Sequence, residues 1–568
     1  MKIEHLYEMT DALNKKLLFM RSESDGAWRG NLSSSAISTA LAIFALHLID
    51  REKHSAIIKN GIAWLKQTML PEGAWGDTSD SLPSLTATLL SFAALQTIDT
   101  TPEKTKNYLS EILGGLEDEQ IINNVLSRHR EDLNLSLPVL TICALTGVVK
   151  KWKNIPHVQK HNNTNPALLA LDVFRRITGN KADIFHFQEL SISKALRALD
   201  RLQSENGGFF EIIPLTAFVA ICTASTGFTE HRITQRAALF LSNTVRNDGA
   251  WSLNIDLACR VTALNVRALG NSIKHEDREE LSQLIRNNAL KNSHPITRTN
   301  QGGWSWTASQ DALPNADDTA ASLIALHILN YGQCCLEAEQ GIEWLLDMQN
   351  HDGGIATFFK GHGEHSFEKS SADVTAHVFY AFELWQEVIS EKLKIKIEKA
   401  TERMLDWLKS AQNPDGSWTS LWFDDQDATD KHSSVLGTAV VLDNINASSK
   451  PTAMKLAAKA AVFLVANQNA DKGWGGSKNS PSKITVTAKA TSALATYLSQ
   501  YNETIVNGFE FLYGAFQKGK LEKNEPVGLC FTHLWYAEEQ YNICFTLNAL
   551  KNIDMANKLA GVQYKLTY

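Results

Sequence analysis

The sequence predicts an all-α fold of paired helices. Three observations carry it: a glycine–aromatic turn that recurs along the chain, apolar residues on a 3.6-residue period between the turns, and no sustained β alternation. The first turn, "SESDGAWRG", holds Trp28. "LPEGAWGDT" holds Trp75, "QSENGGFFE" Phe209 and "RNDGAWSL" Trp251. "NQGGWSW" follows with Trp304, "QNHDGGIAT" with Ile355, "QNPDGSWTS" with Trp418 and "QNADKGWGG" with Trp474. From Phe209 onward successive units lie 42 to 63 residues apart, which fits two helices and a turn. "SSSAISTALAIFALHLID" and "SDSLPSLTATLLSFAALQTI" read as apolar helices behind Ser/Thr caps. "IEWLLDMQ" and "RMLDWLKSAQ" end on a Gln before the next turn, where Asp or Asn and then Gly suit a positive-φ helix end. Trp28, Trp75, Trp251, Trp304 and Trp474 read as packing clamps between helices rather than as chemistry. Such arrays run open as a solenoid or close as an α/α barrel.

The unit between Trp75 and Phe209 has lost its signature, and "KKWKNIPHVQKHNNTNPALL" reads as a loop excursion. "FKGHGEHSFEKSS" (359–371) and "FDDQDATDKHSS" (423–434) are two more, of a length that suggests lids or functional loops.

With 568 residues, 44% of them hydrophobic and 21% charged, the chain has ample material for cores. A net charge of -7 and the lack of a basic block argue against nucleic-acid binding. The N-terminus shows no secretory h-region, and no apolar run reaches the roughly 18 residues of a membrane span. The seven cysteines form no CxxC pair and read as free thiols of a reducing cytoplasm.

The chemistry concentrates in "NADDTAASLIALHIL". Asp317 and Asp318 stand side by side at a helix mouth, where carboxylates commonly cap amides and offset the helix dipole. "SSADVTAHVFYAFELW" opens another helix in the same way and places Asp373 and His377 at i and i+4 on one face. In a closed barrel the two helix starts can face one interior. Burying such a cluster unpaired costs several kcal/mol, so folding alone does not call for it.

With these motifs the chain resembles the squalene-hopene cyclase family, the protonation-initiated (class II) terpene cyclases. The Q-x-x-x-G-x-W turns resemble its packing repeats, "NADDTA" its D-x-D-D-T-A motif, and Asp373 to His377 its D-V-T-A-H element. The resemblance implies two α/α barrels: residues 25–274 form an N-terminal barrel, residues 275–568 a C-terminal barrel with the acid, and residues 1–24 a helix packed on the latter. It implies that Asp317 protonates a terminal isoprene double bond or an epoxide, that Asp318 and Asp373 shape its hydrogen bonding, and that His377 orients it. Burial and neighbouring carboxylates are expected to raise the acid's pKa. Aromatic faces would hold the carbocation, with Trp306, Trp422, Phe358, Phe359, Trp535, Tyr536 and Tyr541 as candidates. Asn315 replaces the first aspartate of the motif, Leu436 stands where a tyrosine is usual, and "DDQDATDK" is an insertion. These departures suggest a substrate or product other than that of a hopene synthase.

The expected ligand is an apolar polyprenyl chain, squalene-like by default, with no cofactor and no metal. A prenyl diphosphate or prenylated aromatic is the alternative, although no clear basic, Mg-assisted site is visible. A zinc prenyltransferase-like barrel would need an Asp, Cys and His set that the sequence lacks. A non-catalytic isoprenoid-binding barrel is the remaining reading. The expected location is cytoplasmic; peripheral contact with the inner membrane face and a homodimer are left open.

Overall fold

The computed structural model describes residues 2–99, 102–129, 133–151, 154–156, 165–178, 192–294, 296–297, 299–361, 366–421, 423–428, 433–498, 502–529 and 534–566. It is overwhelmingly helical, and two three-residue strands, Val527–Leu529 and Leu534–Tyr536, are the named strands among the described residues. The chain divides into two compact units. One comprises residues 1–31, 256–531 and 537–568, the other residues 32–255 and 532–536. The division falls at 255/256 rather than at 274/275. The polar turn near 275 looked like a boundary, but the helix before it is a stave of the C-terminal barrel.

Helix α1 (Ile3–Phe19) packs within the first unit. The second unit is built on α2 (Ala36–Asp50), α3 (Leu85–Ile98), α4 (Leu133–Leu145), α5 (Pro166–Thr178) and α6 (Ile213–Ala224). Each packs on the next and α6 returns to α2, so the ring closes. The first unit closes a six-membered ring in the same way. Its staves are α7 (Ala258–Leu269), α8 (Ala316–Leu329), α9 (Ala372–Trp385), α10 (Ser434–Ile445), α11 (Ile484–Tyr497) and α12 (Tyr541–Leu566). α1 lies against α7 and α12 of this ring. The inner helices are buried nearly all round: α8 is buried from Ala316 through Leu326. The outer helices, such as Glu391–Ala411, bury one stripe and expose a charged face, as a two-layer wall requires.

The turns explain how the layers lock. The Trp418 indole donates to the Leu408 carbonyl of the outer helix at 2.9 Å, and its backbone N–H donates to Thr438 on inner helix α10 at 2.9 Å. Trp75, Trp251 and Trp474 repeat both bonds with Leu65 and Thr88, Leu241 and Thr39, and Leu464 and Thr487. Trp304 does so with Ile285 and Thr319. Thr319 of "NADDTA" is thus a clamp residue. The repeat glutamine closes the other side, for example Gln412 to the Gly416 and Leu456 carbonyls at 3.0 and 3.1 Å. Gly302 sits at φ +107°, where a Cβ would come within 2.7 Å of the Gln340 backbone. Trp418→Ala should therefore lower stability by about 3–5 kcal/mol, read as a fall in the denaturation midpoint with the wild-type helical spectrum retained below it.

The expected lid at 423–434 is otherwise organised. Asp424 and Asp425 are buried, Asp425 accepts from the Gly476 N–H at 2.8 Å, and Lys483 bridges Asp425 and Asp427 at 3.1 and 2.6 Å. The described part of this loop is therefore pinned to the barrel. Among the described residues no helix is long and apolar enough to cross a membrane.

Candidate active site

Helix α8 begins at Asn315, whose extended backbone lets its Oδ1 accept from the Asp318 N–H at 2.8 Å. The other half of the same amide donates from Nδ2 to Asp318 Oδ2 at 2.6 Å. Asn315 therefore caps the helix and fixes the Asp318 carboxylate in one stroke. Asp317, one position before Asp318, turns into the ring.

Arg260, on α7, joins the two aspartates. Its Nη1 donates to Asp317 Oδ2 and to Asp318 Oδ1, both at 2.6 Å, and its Nε donates to the Tyr541 hydroxyl at 3.0 Å. Its guanidinium lies 5.1 Å from the centre of the Phe423 ring. Two N–H groups at the start of α7, those of Cys259 and Arg260, donate to the Trp306 carbonyl, so the turn carrying Trp306 sets where Arg260 emerges. On the far side of Asp317, His377 Nδ1 meets Oδ1 at 2.7 Å. Arg260, Asp317, Asp318 and His377 are all buried, with Asp317 only 4% exposed.

This arrangement overturns one expectation. Burial pushes the Asp317 pKa up, but the Arg260 and His377 charges and hydrogen bonds outweigh it and hold the carboxyl below the usual carboxylate range. Asp318 moves the other way: burial raises it, the Asp317 charge adds to the rise, and Arg260 and Asn315 only partly offset both. The neighbouring carboxylate does repel, as expected, but Arg260 serves both aspartates at the same distance, and the added His377 contact on Asp317 makes it the lower of the two. Once protonated, a carboxyl so placed is a strong acid, because the anion it leaves is already paired.

Asp373 lies at the start of α9 with hydrogen bonds to the Ser371 and Ser420 hydroxyls and the N–H groups of Val374 and Phe423. Those bonds make it an organiser of the loop behind Trp418 and of the Phe423 position. Phe358 packs edge-on to Trp306 at 5.8 Å and touches Phe359 and Phe367, the last a residue the motifs did not single out. Leu436 is buried on the first turn of α10. Tyr541 opens α12 and reaches Arg260. Trp535 and Tyr536 belong to the other unit, where the Trp535 N–H donates to Asp77 Oδ2 at 2.8 Å. Trp422 lies outside the described residues.

A cavity of about 50 Å³ opens inside the six-helix ring next to Asp317 and His377. The rest of its lining includes Arg260, Phe423, Lys489 and Phe545, none of which the motifs singled out.

Comparison with known proteins agrees with this architecture. The fold resembles that of ent-copalyl diphosphate synthase from Streptomyces platensis, with a TM-score of 0.61 at 17% identity over 97% of this chain and 100% of that one. The models of the squalene-hopene cyclase C-terminal and N-terminal domains match residues 260–554 and 12–106. The chain belongs to the squalene-hopene cyclase family. It is 23% identical over 480 residues to squalene–hopene cyclase from Alicyclobacillus acidocaldarius, covering 70% of this chain and 73% of that protein. It is 26% identical over 255 residues to enfumafungin synthase from Hormonema carpetanum, covering 40% of this chain. That match spans only 19% of the synthase's length.

Proposed function

We propose that the chain is a protonation-initiated terpene cyclase that converts a linear, squalene-like polyprene into a polycyclic product through carbocations. The observation that carries this reading is a buried carboxyl, Asp317, held between Arg260 and His377 beside a cavity inside the six-helix ring. In this reading Asp317 gives its proton to the initiating end of the substrate, and the carboxylate left behind is neutralised where it stands by Arg260 and His377. Asp318, fixed by Asn315, shares Arg260 and keeps the guanidinium in register. Tyr541 holds the third face of Arg260. Asp373 acts one step removed, by placing Phe423. The faces of Phe423, Trp306 and Phe358 stabilise the cation, by up to about 2 kcal/mol each when desolvated.

The test is gas chromatography–mass spectrometry of squalene and shorter polyprenes incubated with the protein in EDTA. A new product with the mass of its substrate is expected. Turnover only when a divalent metal is restored, or none from any polyprene, would remove the reading.

A further inference from the structure

Four carboxylate oxygens meet at the mouth of α8, and the partner of each decides whether it can hold a proton. Asp318 Oδ1 and Asp317 Oδ2 both face Arg260 Nη1 at 2.6 Å. A guanidinium donates and never accepts. Asp318 Oδ2 faces Asn315 Nδ2 at 2.6 Å. That amide has one allowed orientation, because its Oδ1 accepts the Asp318 backbone N–H at 2.8 Å. Turned over, it would set a donor against that N–H, so Nδ2 must point at the carboxylate. Asp317 Oδ1 differs from the other three oxygens. It faces His377 Nδ1 at 2.7 Å, and an imidazole nitrogen donates in one tautomer and accepts in the other.

We propose that Asn315 is a positioning residue for the proton: by setting an obligate donor against Asp318 Oδ2, it keeps Asp318 an anion and leaves Asp317 Oδ1 as the oxygen that takes the proton. This rests on the cyclase reading and states which carboxyl is loaded in it, and why. Burial and the Asp317 charge press Asp318 toward taking a proton, and the Asn315 and Arg260 hydrogen bonds oppose them. A proton on Asp318 would be misplaced, since Asp317 lines the cavity and Asp318 does not. It would also leave Arg260 to Asp317 alone, which makes a second proton harder to add there. An aspartate at 315 would undo the arrangement, because two carboxylates that close together share a proton. The other groups facing the pair are common to any residue at 315. Burial and the Asp318 charge push the Cys259 thiol up, burial brings Lys489 on the cavity wall down to about 8, and the Tyr541 hydroxyl accepts from Arg260.

The experiment compares wild type with Asn315→Asp and Asn315→Ser. Both replacements are good helix caps, so the Asp318 N–H keeps an acceptor and a role in capping alone predicts no change. Neither supplies an obligate donor. Infrared titration of the free proteins from about pH 7.5 to 5 should show, in each variant, one protonated carboxyl that wild type lacks. Single-turnover cyclisation over the same range should climb along one straight limb in wild type and bend over in the variants, leaving them about ten-fold or more slower at the acid end. Absence of the added carboxyl overturns the proposal, and so do variant profiles that run parallel to wild type. Either variant suffices if the other does not fold. If none of the three proteins turns over a polyprene, the cyclase reading falls, and the infrared titration still decides where the proton goes.

Discussion

Asp317→Asn is expected to lower the cyclisation rate by about 10²–10⁴-fold while leaving a folded protein. Asparagine keeps the size and can still accept from Arg260, so the ring should close as before. It cannot give a proton at any accessible pH. The stability effect has a definite sign. Asp317 is held below its ordinary value, so its carboxylate favours the folded state above about pH 4 and that contribution fades as pH falls through the folded pKa. Asp318 is raised and works against folding over the range where it is forced to ionise. Asp317→Asn removes the first contribution and relieves the second, because Arg260 then serves Asp318 alone. The expected outcome is a large loss of product with a small change in denaturation midpoint at neutral pH. A midpoint that collapses with activity would make Asp317 a structural residue.

Arg260→Gln should have the opposite balance. It strips the shared cation from two buried carboxylates whose oxygens lie 2.6 Å from it. Breaking a buried pair by removing one partner costs about 3–5 kcal/mol, because the other charge stays behind. The loss should be full at neutral pH and shrink as pH falls, since protonation removes the stranded charges. Asp317 should then titrate at higher pH, so the acid limb of the rate profile should move toward alkaline values. Denaturation midpoints at pH 5 and 7.5, with rate profiles of both proteins, check both effects. A variant as stable as wild type at pH 7.5 would show that Arg260 is not the counter-ion the geometry implies.

Much of the architecture was legible because the packing rules repeat. A Gly-Trp turn that bonds an outer helix through its indole and an inner helix through its backbone leaves the same signature each time, as at Trp418 and Trp474. Asp317 and His377 were legible for a related reason: each lies two residues from a clamp threonine, Thr319 or Thr375, in the first turns of an inner helix, so they share one ring interior. Arg260 was not, although "LACRVTALNVRAL" carries two arginines seven residues apart on a helix that packs like its apolar neighbours. Lys489 in "ITVTAKATSALATY" sends the same signal. A charge on an inner stave can be found from sequence only once the staves are known, because outer helices carry such charges freely. The pKa direction of Asp317 was missed for that reason: the carboxylates are local in sequence, while their counter-ion lies 57 positions away. Residues 532–536, with Trp535 and Tyr536, join the other unit, and nothing local in sequence marks that exchange.

The most direct test of an Asp317 acid held low by Arg260 is the pH dependence of single-turnover cyclisation, with enzyme in excess over substrate. An acid ionised at rest is loaded in proportion to proton concentration, so the rate should rise about ten-fold for each unit that pH falls from 8 to 6. A rate that is flat across that range, or that climbs with pH, would contradict a carboxyl donor paired with Arg260.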